Sequence, residues 1–151
     1  MLRSIDALLT PSQRWSRIAE LIFRAFTSLI FIIGGLGHFG RHQMMLDRMA
    51  GSPWRDTVNS IGDPSVLLWL SGAAFVVFGI ALALGLMTRL SALVILVTLI
   101  PITFFTHVAP GGTGPLFKNI AIMGALILLM AKGGGAYSID LVRERVPIAR
   151  Q

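Results

Sequence analysis

The sequence predicts an all-α, polytopic membrane protein: an antiparallel bundle of four transmembrane helices with an interfacial segment between helices one and two. Three observations carry this. The 151 residues are 54% hydrophobic and only 13% charged, where an ordinary soluble domain has roughly 25% charged residues. Four long apolar runs, at about residues 18–39, 66–87, 90–107 and 117–136, match the length needed to cross a hydrocarbon core of ~30 Å. The thirteen Lys and Arg sit mostly at the ends of those runs. That is the pattern of membrane topology and not of a basic stripe with interleaved aromatics, so the lipid bilayer is the expected partner and nucleic acid is not. By length the chain is one domain: residues 1–140 make the transmembrane unit and 141–151 a basic, solvated tail.

The first run is the most informative. Thr10-Pro11-Ser12-Gln13 supplies a helix start, with Thr10 as N-cap, Pro11 at the first helical position and Gln13 closing a capping box. Ahead of it, Ile5, Leu8 and Leu9 with Arg3 and Asp6 suit a short amphipathic turn on the membrane surface. The run is long, contains Arg24 and ends in Gly-His-Phe-Gly without a small-residue cleavage motif, so it is expected to be a retained span and not a signal peptide. Glu20 and Arg24 interrupt it one turn apart, in the order that favours an ion pair. His38 returns to the azimuth of Glu20, roughly 27 Å further on at ~1.5 Å per residue. A charge facing lipid is costly, so this polar face should look into protein or a wet cavity.

Residues 40–64 are too long for a simple turn, and part of them, best 43–50, should lie as an interfacial or re-entrant helix. Its methionines (Met44, Met45, Met49) read as packing or lipid contacts in preference to copper ligands, and no metal site is expected. Asp63-Pro64-Ser65 starts the second span, which carries no charge over residues 66–87. Gly72 and Gly79 share a face there and suit close helix packing. Thr88-Arg89 is a very short turn, so the third span must return antiparallel beside the second. Within that span Pro101 removes a hydrogen bond and frees the Val97 carbonyl, predicting a kink where Thr98, Thr103 or a ligand satisfies it. Residues 108–116, rich in Gly and Pro, make a loop. The fourth span runs from Phe117-Lys118-Asn119 toward Tyr137, with Lys118 and Lys132 snorkelling, and Gly133-Gly134-Gly135 ends it.

Orientation follows from the charges. One side holds Arg3, Arg14, Arg17, Arg89, Lys132, Arg143, Arg145 and Arg150; the other holds Arg41, Arg48, Arg55 and Lys118. Both termini are therefore expected in the cytoplasm. The chain has no cysteine, which excludes disulfides, thiolate catalysis, iron–sulfur ligation by cysteine and covalent c-type haem. Any redox role must use a bound cofactor or a partner.

Phe117-Lys118-Asn119-Ile120-Ala121-Ile122-Met123-Gly124, then the glycine run and Ala136-Tyr137-Ser138-Ile139-Asp140, resembles the last helix of the DoxX family of four-helix bacterial membrane proteins. Gly85-Leu86-Met87-Thr88-Arg89-Leu90 resembles that family's second turn, residues 34–39 the end of its first helix, and Ile61-Gly62-Asp63-Pro64 its entry to helix two. The pieces occur in the right order over roughly residues 18–140. The resemblance implies a multi-pass protein of the bacterial cytoplasmic (inner) membrane. It also implies a subunit of a quinone-linked redox or oxidative-stress module, related to a subunit of thiosulfate:quinone oxidoreductase. Many members carry a Glu in the first half of helix two, and Phe75 stands near that place here.

Chain direction puts His38, His107, Lys118 and Asn119 at one edge of the bundle, the outer one. Imidazole, ammonium and amide donors beside apolar walls suit a quinone carbonyl, and a histidine can take the proton released on quinol oxidation. The alternative is that these four residues satisfy loop backbone. Glu20 and Arg24, the candidate intramembrane ion pair, either anchor a proton path or polar head group at the inner edge or simply neutralise each other, with Arg24 snorkelling. Bis-histidine haem ligation by His38 and His107 finds no evident room for a porphyrin, and Tyr137-Ser138-Ile139-Asp140 reads as a helix stop and surface anchor. Two functions of different class stand side by side. One is an oxidoreductase subunit without its own cysteine or nucleotide site, with quinone as its ligand, working with a redox partner or as a homo-oligomer. The other is a non-catalytic scaffold or lipophile-binding protein.

Overall fold

The computed structural model describes residues 11–107 and 113–145. Thr10, the surface turn expected over residues 1–9, residues 108–112 of the expected loop and the end of the tail fall outside the described residues, and so does the side chain of His107; residues 113–116, expected in that loop, are helical and open the fourth span early. Among the described residues there are helices α1 (Gln13–Gly40), α2 (His42–Ala50), α3 (Arg55–Ile61), α4 (Pro64–Leu84), α5 (Thr88–His107), α6 (Thr113–Lys132) and α7 (Ile139–Arg145). Four of them, α1, α4, α5 and α6, are long and apolar enough to cross a membrane.

Local chemistry sets the helix limits. Ser12 and not Thr10 caps α1, accepting from the Trp15 N–H at 3.3 Å, so Pro11 precedes the helix instead of opening it. Asp63 caps α4 as expected, its Oδ1 accepting from Ser65 and Val66, and Pro64 follows at the first helical position. Helix α5 runs through Pro101. Thr98 and Thr103 each donate to the carbonyl one turn back, of Val94 and Leu99, and not to the carbonyl that Pro101 frees.

Each span packs chiefly on its sequence neighbour, α1 on α4, α4 on α5 and α5 on α6, while α6 meets α1 over only a short stretch. The α1–α4 crossing is made close by glycine. A Cβ on Gly35 would stand 2.7 Å from the Gly72 carbonyl, and one on Gly72 would stand 2.8 Å from His38 Cβ. The small-residue face of α4 is thus covered by α1 of the same chain and is not free for another protein. In a bilayer, where lipid is as apolar as leucine, such close backbone contact is what holds helices together.

Polarity is distributed inside out. Phe26, Ile33, Leu70 and Phe117 face outward, each more than 60% exposed, while Arg24, Ser28, His38, Thr103 and Asn119 are buried. The core between them is built from Phe31, Phe75, Leu82, Ile95, Leu99, Ile122 and Leu126. The interfacial segment is two helices, α2 and α3, where the sequence suggested one. Between them Trp54 packs its ring 4.9 Å from that of Phe104, and Ser52 donates to the Phe105 carbonyl at 3.2 Å, which folds the segment back over the end of α5.

Candidate functional site

Two polar clusters stand at opposite ends of the bundle. The first is organised by Arg24, which is 2% exposed although it lies within a membrane span. A guanidinium in that position needs fixed acceptors, because lipid supplies none. Its acceptors come from the other end of the sequence: one terminal nitrogen donates to the Gly134 carbonyl and the other to the Tyr137 carbonyl.

Those carbonyls are presented by the turn that follows α6. Gly133 and Gly135 hold φ of +80° and +72°, in the left-handed region that L side chains avoid. Between them, a Cβ on Gly134 would lie 2.5 Å from Ser138 Cβ and 2.7 Å from Thr88 Oγ1. The glycine run is therefore required by conformation and by space, and it is more than a helix stop.

Asp140 then ties the same turn to the α4–α5 connection. Its N–H donates to the Gly85 carbonyl at 3.0 Å. Its carboxylate accepts from the Met87 N–H at 2.7 Å, and from the Thr88 N–H and hydroxyl at 2.8 Å each. Met87 has φ of +45°, a strained conformation for a residue with a side chain, which the carboxylate helps to hold. Burial pushes the Asp140 carboxyl up, but the hydrogen bonds from Thr88 and Met87 and the nearby Arg143 outweigh it and hold the group below the usual carboxylate value. Arg24 from α1, Gly85 from the end of α4, Thr88 from the start of α5 and the turn after α6 form one knot that joins the ends of all four spans. Tyr137-Ser138-Ile139-Asp140 is thus buried in part and structural, where the sequence read it as a surface anchor.

Glu20 and Arg24 do not pair. The helical spacing that suggested it is correct, but Arg24 turns into the knot while Glu20 takes Lys132 across the gap, Oε1 to Nζ 3.0 Å. Between α1 and α6 this end opens into a groove of about 400 Å³, lined by Glu20, Phe23, Arg24, Leu128, Leu129 and Lys132 among others. Its walls are apolar, its end carries two cations and one acid, and Arg24 Nε is buried there without a hydrogen-bond partner.

The second cluster contains His38. Its Nδ1 lies 3.0 Å from Ser71 Oγ and 3.4 Å from the Leu68 carbonyl, so it bonds across to α4. The Phe75 ring packs 5.6 Å from the imidazole and 5.2 Å from Phe31. An aromatic filler thus occupies the place near which the resemblance puts a carboxylate. Asn119 is also buried, but it donates to Thr103 Oγ1 at 2.9 Å, between α6 and α5. Lys118 beside it is exposed. The structure therefore binds His38 to α4 and Asn119 to α5, with Lys118 outside, and His107 has no described side chain. His42, not singled out by the sequence, sits 2.9 Å from Ser65 Oγ through Nε2, and its Nδ1 is buried without a partner.

Sequence reasoning missed Lys132 as the partner of Glu20 and the 133–140 turn as the partner of Arg24. A signal was present: three consecutive glycines after a span free several carbonyls at once, and a buried arginine must find acceptors.

The DoxX family model matches residues 19–108. An uncharacterized protein of Haemophilus influenzae is 38% identical over 89 residues, which cover 54% of this chain and 63% of that protein, somewhat less than two thirds of its length. No solved structure matches the chain.

Proposed function

This chain belongs to the DoxX family, and we propose that it is an inner-membrane, multi-pass protein that holds a lipophile in the lateral groove between α1 and α6. In this reading the Arg24 end of the bundle faces the cytoplasm, which the excess of Lys and Arg in the sequence on that side supports. The observation that carries the reading is the groove itself. Phe23, Leu128 and Leu129 offer an apolar wall beside Glu20, Arg24 and Lys132, the combination that seats a tail and orients a head.

The test is photolabelling in vesicles with an alkyl-diazirine lipophile, followed by peptide mapping. Label is expected on residues 19–24 and 128–133, and Leu128→Trp, which fills the groove, should reduce it several-fold. Label spread evenly over the lipid-facing perimeter would refute the assignment.

A second reading keeps the ligand a quinone and the protein a subunit of a redox module served by a separate partner. It is favoured by a buried amide, Asn119, beside an exposed ammonium, Lys118, at the far end of α6. Decylubiquinone binding that is lost in Asn119→Ala, yet survives Leu128→Trp, would select it over the groove.

A further inference from the structure

We propose that the α1–α6 groove takes an anionic phospholipid, its phosphate against Lys132 and its acyl chain laid along α6 past Gly124. This rests on the groove being a lipophile site and names the class of lipophile.

The head end is cationic. Lys132 has three N–H donors and Glu20 takes one of them at 3.0 Å; the Lys132 side chain is 59% exposed. Two donors therefore remain for an oxygen-rich head group, and Ser16 is among the residues that line the same groove. Arg14 and Arg17 are exposed on the turns of α1 that precede Glu20. Arg89 lies over the turn, its Nε 3.6 Å from where a Gly133 Cβ would stand. The acids at this end among the described residues are Glu20, Asp140 and Glu144; Asp140 is occupied by the Met87 and Thr88 N–H groups, and Glu144 stands on α7 between Arg143 and Arg145. The excess positive charge that remains favours a head group of net negative charge over a zwitterionic one.

The tail end is open. Gly124 lies one turn from Leu128 on the same side of α6, and nothing stands within 4 Å of where its Cβ would be. An acyl chain leaving the groove along this line finds space beside the helix, continuous with the apolar wall of Phe23, Leu128 and Leu129. A free phosphate would use the cations and leave this wall empty.

The experiment uses the full chain, delipidated in detergent, with native mass spectrometry and thermal shift read against dioleoylphosphatidylglycerol, dioleoylphosphatidylcholine, inorganic phosphate and decylubiquinone. Phosphatidylglycerol should be retained about fivefold over phosphatidylcholine, the scale set by one basic group, Lys132, meeting an anionic lipid. Lys132→Gln should abolish that preference, and Gly124→Leu should weaken retention of either lipid while leaving the lipid-free melting temperature unchanged or raised. Equal retention of the two lipids, a preference that survives Lys132→Gln, or a full shift with inorganic phosphate alone would overturn the proposal. Decylubiquinone bound in the groove without any phosphatidylglycerol preference would sink this inference and leave the lipophile site standing. Binding of neither would remove both.

Discussion

Replacing Arg24 with methionine keeps the length and apolar stem of the side chain and deletes the guanidinium that crosses from α1 to the turn after α6. Two charge-assisted hydrogen bonds are lost, to the Gly134 and Tyr137 carbonyls, each worth about 1.5–3 kcal/mol. The change also removes a buried charge whose desolvation costs several kcal/mol, and it leaves two carbonyls short of a donor. These terms oppose each other. Methionine cannot replace either donor, so the net loss should be about 2–4 kcal/mol, the range in which breaking a buried polar network falls. Arg24→Lys should recover less than half of it, because one ammonium cannot address two carbonyls with the fixed fork of a guanidinium. The assay is thermal unfolding in detergent, paired with limited trypsin digestion after Arg143, which becomes faster if the turn releases α7. Unchanged melting and digestion in Arg24→Met would show that the buried guanidinium does not hold the turn.

Further outcomes follow from the same geometry. Gly134→Ala, which drives a Cβ into Ser138 and Thr88, and Gly72→Ala, which drives one into His38, should each lower stability by about 2 kcal/mol or more. Gly124→Ala, in open space, should be neutral or gain up to ~1 kcal/mol from helix propensity; scanning calorimetry of the three proteins checks this contrast. Glu20→Gln breaks an exposed pair and should cost no more than about 1 kcal/mol, less in high salt. Asp140 has a folded pKa below its unfolded one, so its stabilisation is fully present above about pH 4 and is lost as pH falls through the folded value. The melting-temperature difference between the native chain and Asp140→Asn should be constant from pH 7 to 5 and shrink in more acid solution.

The four spans were legible because hydropathy alone identifies segments that must cross ~30 Å of hydrocarbon. Asp63 as a cap and the Gly72–Gly79 face were legible because both act within a few residues or along one helix. The fate of Arg24 was not. A side chain and its acceptors 110 and 113 residues apart leave no spacing to read, and the local rule that places Glu20 beside Arg24 gives an answer that tertiary structure overrides. The resemblance pointed to the right segments without their physical role: the Gly85 turn, the glycine run and Asp140, read as separate family marks, are three parts of one junction with Arg24. The outer-edge residues show the limit of chain direction as a guide. It puts His38 and Asn119 at the same height, but azimuth decides contact, and the two bond to different helices.

The knot itself is tested most directly by a double-mutant cycle. Arg24→Met and Asp140→Asn act on different helices through the same short turn, so the double mutant should lose at least 1 kcal/mol less than the two single losses added together. Losses that add to within about 0.5 kcal/mol, as independent sites do, would contradict a single junction joining the four spans.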